Sequence, residues 1–151
     1  MKRSQRMAVV QKVVDDQEQR RAKTLVASEQ RVAESEAKLA ELETYRANYL
    51  RDFSSRAGIG MSAASARDYQ VFLARLEEAL RQQTQLLARA KAQRDNERRN
   101  WQNAAQRAGA VDHMMDVWTS AERLELERHE QKESDEFSQR APAPGVHRRG
   151  G

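Results

Sequence analysis

The chain has 151 residues, of which 33% are charged, 38% hydrophobic and 5% aromatic, with six glycines, two prolines and no cysteine. So little apolar material argues against a compact globule and indicates long helices or a coiled coil, with a compact helix bundle as the nearest competitor. The absence of cysteine excludes disulfides and thiolate zinc sites. Since there is no run of 18 apolar residues and no signal peptide, we expect a cytoplasmic protein.

The net charge of +4 is concentrated at the two ends. Residues 1–23 carry +4 and the tail from Arg140 carries +3, which leaves −3 for the middle. Basic ends of this kind contact nucleic acid or acidic lipid, or simply keep a protein in solution.

The apolar residues predict two helices, at about residues 4–55 and 64–138. The turn at about 56–63 contains Gly58 and Gly60, and Ser62 or Ser65 is placed to cap the second helix. Residues 141–151 read as a disordered basic tail, so the coiled-coil domain is residues 1–140. Gly109 lies inside the second helix and should weaken it without ending it.

Both helices carry a stripe with coiled-coil spacing. The first stripe comprises Met7, Val14, Arg21, Leu25, Ser28, Val32, Ser35, Leu39, Leu42, Tyr49 and Phe53. The second comprises Tyr69, Leu73, Leu76, Leu80, Gln83, Leu87, Ala90, Arg94, Glu97, Trp101, Ala104, Ala108, Val111, Met115 and Trp118.

A short turn between two such helices predicts an all-α antiparallel coiled-coil hairpin. One register pairs Phe53 with Tyr69 and Met7 with Met115, and it puts Arg21 on Trp101 as a cation–π pair. The same register leaves Leu25 facing Glu97. Because the second helix is longer, we expect residues from about 119 to 138 to overhang as a single helix.

Aromatic residues beside the stripes predict an interaction surface near the turn. Leu42 and Tyr49 belong to the seam, but Tyr45 falls beside it, as do Phe72 and Ala79, which neighbour Leu76. A two-stranded coil cannot bury flanking aromatics, and exposed apolar patches with aromatic anchors are typical of binding sites. A third helix or a dimer partner would cover them equally well.

Catalytic machinery is not expected. There is no phosphate-binding loop, and a two-stranded coil has no cavity to enclose a reaction. The segment HEQKE begins like a zinc-protease motif, but Glu133 stands where the second histidine is needed, so we expect no metal and no cofactor. The acidic helix around Leu124, Leu126 and Phe137 is instead expected to gain order by binding another protein.

The chain resembles the FliJ family of flagellar type III export components. The resemblance is carried by LETYRANYLRDF, RDYQVFLARLEEALRQQ, the Trp101 region and EQKESDEFSQR. It implies a non-catalytic stalk in which one end enters a hexameric export ATPase and the other binds the cytoplasmic domain of the export-gate transporter. It also implies escort of export chaperones and a peripheral position at the cytoplasmic face of the inner membrane, at the flagellar base.

The resemblance also implies two sets of site residues. The family's transporter-binding patch corresponds to Leu42, Tyr45, Tyr49, Phe72, Leu76 and Ala79, flanked by Lys38 and Gln83, where the family carries Gln and His. For the ATPase contact we expect Arg123, Glu130, Gln131, Lys132, Asp135, Glu136 and Phe137.

Three alternatives compete with this interpretation. The first is the corresponding stalk of a virulence injectisome, and the second is a self-assembling scaffold. The third is a basic nucleic-acid-binding coiled coil, which the confinement of basic residues to the ends disfavours, so we expect no nucleic-acid partner.

Overall fold

The computed structural model describes residues 2–140, which form two long α-helices. Helix α1 spans Arg3–Ile59 and helix α2 spans Ala63–Arg140. Both prolines lie beyond residue 140, so nothing in either helix removes a backbone donor. No strand occurs within the described range, and the all-α prediction is confirmed. The predicted disordered tail, 141–151, lies outside the described residues.

Residues 60–62 make the turn between the helices. Helix α1 continues four residues past its predicted end and includes Gly58. Gly60 ends it with a φ of +114°, a conformation that side chains with a Cβ rarely adopt. The hydroxyl of Ser62 accepts a hydrogen bond from the backbone N–H of Ser65 at 3.1 Å. Ser62 is therefore the N-cap of α2, one of the two predicted candidates.

The residues group into two compact units. One unit is Asp16–Gln106, which contains the turn, and the other combines residues 2–15 with residues 107–140 of the described chain. We call them the turn unit and the terminal unit.

In the turn unit, segments of α1 and α2 pack antiparallel. The rings of Phe53 and Tyr69 lie 5.3 Å apart, as the predicted register requires. Further along, Gln83 bonds to Ser35. The buried apolar residues are Leu25, Val32, Leu76, Leu80, Leu87 and Ala104. A buried leucine or valine stabilises a fold by about 1.5–3 kcal/mol, so each residue of this row contributes to holding the two segments together.

The α1 stripe differs from the prediction at one point. Arg21 is exposed, whereas Glu18 and Ala22 are half-buried in its place. The predicted cation–π pair with Trp101 is wrong: the Trp101 indole N–H instead donates a hydrogen bond to Glu18 Oε1 at 2.8 Å. The physical reason is that a helix with 3.6 residues per turn rotates slowly relative to a strict seven-residue repeat. The buried stripe therefore continues from Glu18 to Ala22, four residues on, and not to Arg21, three residues on.

The terminal unit pairs the first residues of α1 with the later part of α2. Met7, Val14, Val111, Met115 and Trp118 are half-buried, as their stripes predict, and Ala108 is buried. Gln11 Nε2 donates to Asp112 Oδ1 at 2.6 Å. Gly109 remains helical, and a Cβ built there meets no atom within 4 Å.

The predicted overhang is present in the terminal unit. Glu122 is the last half-buried residue of α2 in the described range, and it accepts a hydrogen bond from the Ser4 hydroxyl at 2.6 Å. Every described residue beyond it, 123–140, is helical and exposed. We call residues 123–140 the overhang.

Candidate functional site

Five aromatic rings form a continuous cluster in the turn unit. Tyr49 is at its centre, with its ring 4.6 Å from Phe72, 4.9 Å from Tyr69 and 6.4 Å from Tyr45. Tyr45 also contacts Phe72 edge-on at 6.0 Å, and Phe53 extends the cluster toward the turn through Tyr69. We call Tyr45, Tyr49, Phe53, Tyr69 and Phe72 the aromatic cluster. It contains five of the eight aromatic residues in the chain, so the scarce rings are concentrated in one place.

Helical spacing explains why these rings meet. Tyr45, Tyr49 and Phe53 recur every four residues and therefore lie along one side of α1. Tyr69 and Phe72 are three apart on α2 and face them across the antiparallel pair. Ring centroids separated by 4.5–7 Å in tilted or edge-on arrangements add about 0.5–1.5 kcal/mol per pair beyond area burial. The cluster thus holds the two helices together and sets the position of its own outer rings.

The six residues of the implied transporter patch differ in how much of their surface is exposed to solvent. Tyr45 and Phe72 expose 52% and 37% of their surface, whereas Leu76 exposes only 6%. Leu42, Tyr49 and Ala79 are half-buried. Tyr45 and Phe72 are therefore the side chains that a partner can reach directly, and Leu76 can act only by supporting them from below.

The two positions that flank the patch differ in burial. Gln83 is buried, and its side-chain amide donates to Ser35 Oγ at 2.9 Å and to the Ser35 carbonyl at 3.1 Å. Lys38 is exposed. Position 83 is thus a polar layer inside the seam, and position 38 alone remains on the surface.

The phenol groups of Tyr49 and Tyr69 stay neutral at physiological pH. Burial, followed by the neighbouring Tyr45, Asp52 and Asp68, raises the pKa of Tyr49. The pKa of Tyr69 is raised first by the hydrogen bond that its hydroxyl donates to Asp52, and then by burial. Tyr49 and Tyr69 therefore contribute uncharged rings to the cluster.

Tyr69 and Phe53 are cluster members that the sequence interpretation placed only in the seam. Tyr69 contacts Tyr49, and Phe53 contacts Tyr69, so both are joined to the exposed rings. The signal was present in the spacing, since Tyr69 precedes Phe72 by one helical turn, but only the facing helix shows that they share a cluster.

The overhang holds all seven residues expected at the ATPase contact. Each of them is exposed, and Phe137, at 76%, is among the most exposed large apolar side chains of the described chain. Leu126 and Phe137 are eleven residues apart, which brings them to one side of a helix. His129 Nε2 lies 3.3 Å from Glu133 Oε1, so these two side chains of the HEQKE segment contact each other on the helix surface.

Neither α1 nor α2 contains a stretch apolar and long enough to span a bilayer. The residues described here thus make an all-α coiled-coil protein with exposed aromatic and apolar side chains of the kind that bind partners.

Comparison with known proteins identifies the family. The model for the flagellar FliJ protein matches residues 2–145. The chain is 31% identical to the flagellar FliJ protein of Salmonella typhi and 30% identical to that of Escherichia coli K12. Each alignment covers 108 residues, which is 72% of this chain and 74% of the relative. No solved structure matches the chain. The chain belongs to the flagellar FliJ family, and the resemblance seen in its sequence is confirmed.

Proposed function

We propose that this protein is a non-catalytic stalk of the flagellar protein export apparatus. In this role it links the hexameric export ATPase to the cytoplasmic domain of the export-gate transporter and escorts export chaperones. Membership of the FliJ family supports the flagellar assignment. Two exposed surfaces, one in each unit, support a linking role.

The observation that carries the proposal is the exposure of Tyr45 and Phe72 at the edge of the aromatic cluster. Tyr49 contacts both rings and fixes their positions before any partner arrives. A pre-positioned ring loses little conformational freedom on binding, which is the property of an interface hot spot. We assign this surface to the export-gate transporter.

The test compares Phe72→Ala with Val71→Ala in binding to the purified cytoplasmic domain of the transporter. Val71 is the matched control because it is the adjacent residue, is 48% exposed and makes none of the ring contacts. Loss of a hot-spot ring costs about 2 kcal/mol or more, so we expect Phe72→Ala to weaken binding about 30-fold. We expect Val71→Ala to stay within about twofold of wild type, as for a residue outside the hot spot.

Helicity by circular dichroism must be the same in all three proteins. Equal binding by wild type and Phe72→Ala would reject the aromatic cluster as the docking surface. If wild type did not bind the transporter at all, the injectisome and nucleic-acid alternatives would be tested next.

We assign the overhang to the export ATPase. Its eighteen residues are helical but have no partner helix among the described residues, and an isolated helix of this length is marginal in water. Insertion into a protein pore would supply the missing contacts, with Phe137 as the apolar anchor and Arg123, Glu130, Gln131, Lys132, Asp135 and Glu136 around it.

A matched pair of variants tests this contact. Phe137→Ala should weaken binding to the purified ATPase hexamer about tenfold or more, since a large exposed anchor is lost. Leu86→Ala removes an apolar side chain of α2 that is 51% exposed but lies in the turn unit, outside the overhang, and it should change binding little. Equal losses in both variants would indicate general destabilisation of the helix and would reject Phe137 as the anchor.

The remaining parts of the proposal are chaperone escort and location. We propose that the protein is held at the cytoplasmic face of the inner membrane through the transporter. Membrane recruitment in cells should then be lost with Phe72→Ala and retained with Val71→Ala. Retention by both variants would require a different anchor.

A further inference from the structure

The terminal unit has an exposed face that is apolar at its centre and basic at its edge. Met7, Val10 and Trp118 line a groove with Arg3 and Arg6 at its rim. Met114 precedes Trp118 by one helical turn, and Val117 follows Met114 by three residues, so both continue the same side of α2. Val10, Met114 and Val117 expose between 40% and 51% of their surface.

The basic residues of this face have no acidic partner in the part of the chain that the structure describes. Arg3 lies over the Trp118 ring at 5.9 Å, and Arg107 is one heptad before Met114 on the same side of α2. Among residues 2–140, no carboxylate lies within 4.0 Å of the charged groups of Arg3, Arg6 or Arg107. We call Arg3, Arg6, Val10, Arg107, Met114 and Val117 the basic face.

The overhang has the complementary character. It contains six acidic and four basic residues. Leu126, Glu130, Glu133 and Phe137 follow one another at intervals of four, three and four residues, which places two apolar and two acidic side chains on one side of the helix. This side of the overhang is complementary to the basic face, because its two carboxylates can pair with arginines and its two apolar side chains can pack on apolar ones.

We propose that a second copy of this chain covers the basic face, with the overhang of each copy lying along the basic face of the other. Within one copy, the basic face ends and the overhang begins at Glu122, which contacts Ser4 near the start of α1. A two-fold axis at the level of Glu122 places the overhang of each copy on the basic face of the other. The overhang, at about 27 Å for its eighteen residues, is long enough to pass the whole face.

Two-fold symmetry limits this assembly to a dimer. Each copy contributes the same two surfaces, so the interface is isologous and stops at a dimer instead of growing into a filament. On either side of the axis the overhang becomes the third helix of a three-helix bundle, which supplies the apolar contacts that an isolated helix lacks.

The shape of the face favours a helix over a lipid surface. Trp118, which borders the basic face, is half-buried with the Arg3 guanidinium over its ring, so this large apolar side chain is not presented outward. Membrane-binding helices instead present their large apolar side chains outward, on a convex surface.

The first experiment is sedimentation velocity of the full chain in the absence of any partner. Between about 1 and 200 µM, the range of weak to moderate affinities, wild type should shift from monomer to dimer. Raising the salt from about 0.05 to 0.5 M should shift it back, because exposed charge pairs are screened.

Charge reversal gives a decisive second test. Arg6→Glu/Arg107→Glu reverses the basic face, and Glu130→Lys/Glu133→Lys reverses the overhang. Each variant alone opposes like charges at both contacts, so its dimer dissociation constant should rise by about tenfold or more. An equimolar mixture restores opposite charges at both contacts and should dimerise about as well as wild type.

Arg98→Glu/Arg99→Glu is the control, since it makes the same change in net charge at exposed positions of the turn unit. It should dimerise as wild type does, and all variants should have unchanged helicity. A wild type that is monomeric over the whole range would overturn the proposal, and so would a mixture no better than its components. Binding of monomeric wild type to phosphatidylserine vesicles would assign the face to lipid instead.

This proposal does not depend on the export ATPase, because the sample is the protein alone. Its failure would leave the ATPase assignment intact, and failure of ATPase binding would leave the dimer intact. If both hold, Phe137 serves both contacts, so the dimer and the ATPase complex exclude each other.

Discussion

The indole N–H of Trp101 donates a hydrogen bond to Glu18 at 2.8 Å, which joins α1 and α2 in the turn unit by a charge-assisted contact. Both residues are half-buried. Hydrogen bonds to charged groups contribute about 1.5–3 kcal/mol, at the upper end when they are partly shielded from water. This bond is therefore a stabilising cross-link in a seam that is otherwise poor in large apolar residues.

Trp101→Phe should destabilise the turn unit by about 1–2 kcal/mol, since it removes the donor and keeps most of the ring. Glu18→Ala should cost a similar amount. The double variant should lose less than the sum, and the difference measures the coupling. Arg21→Ala, the predicted but unobserved partner, should stay within about 0.5 kcal/mol of wild type in urea unfolding, as an exposed position should. A larger loss in Arg21→Ala than in Glu18→Ala would contradict this pairing.

The buried carboxylate of Glu97 is the weak point of the seam. Glu97 is 8% exposed, and its Oε1 accepts a hydrogen bond from Gln93 at 2.8 Å, but its Oε2 is buried without a partner. An unsatisfied buried polar group costs about 1–3 kcal/mol. Glu97→Leu should therefore stabilise the turn unit by about 1–3 kcal/mol in thermal or urea unfolding.

The control for Glu97 is Glu34→Leu, which makes the same substitution at an exposed position of α1. It should change the free energy of unfolding by less than about 0.5 kcal/mol. Equal effects of the two substitutions would mean that general helix propensity, and not the buried carboxylate, is responsible.

The contact between Ser4 and Glu122 should make the start of α1 sensitive to acid. The hydrogen bond from the Ser4 hydroxyl is the largest influence that lowers the pKa of Glu122 below its ordinary value of 4.5. A carboxylate with a lowered folded-state pKa stabilises the fold fully above its unfolded pKa, and this contribution is lost as the pH falls through the lowered value. Hydrogen exchange of the first turns of α1 should therefore accelerate below about pH 4.5, relative to the rest of the terminal unit.

Glu122→Gln should abolish this pH dependence, because an amide does not titrate in this range. Ser4→Ala should reduce it, because it removes the bond that lowers the pKa. An undiminished acid response in Glu122→Gln would assign the effect to other carboxylates.

Within the aromatic cluster, stability and docking should separate by position. Tyr49 contacts three rings and is half-buried, whereas Tyr45 is at the exposed edge. Tyr49→Ala should cost about 2–4 kcal/mol of stability, as for loss of a well-packed aromatic. Tyr45→Ala should cost less than about 1 kcal/mol because about half of the residue's surface is already in water.

For binding to the transporter domain, Tyr45→Ala should have the larger effect of the two substitutions when only folded protein is compared. Tyr45→Ala should weaken binding at a temperature where the protein is fully helical. If Tyr45→Ala and Tyr49→Ala destabilised the fold equally, the division between a supporting ring and a contacting ring would be wrong.

The sequence by itself determined the fold class, the place of the turn and most of the seam. Apolar residues repeating every three or four positions predict helices that pack along one stripe, and the segment with Gly58, Gly60, Ser62 and Ser65 predicts the turn between them. Every predicted seam residue of α2, from Tyr69 to Trp118, is buried or half-buried. The exposed rings Tyr45 and Phe72 were found for the same reason, since they fall beside the stripes.

Only the tertiary structure decided the partners of the polar side chains. Glu18 rather than Arg21 meets Trp101, Gln83 turns inward to Ser35, and Ser4 meets Glu122. Long polar side chains have several partners within reach, and small rotations of each helix choose among them. Spacing along one chain therefore fixes which face a residue occupies, whereas the choice of hydrogen-bond partner depends on both helices at once.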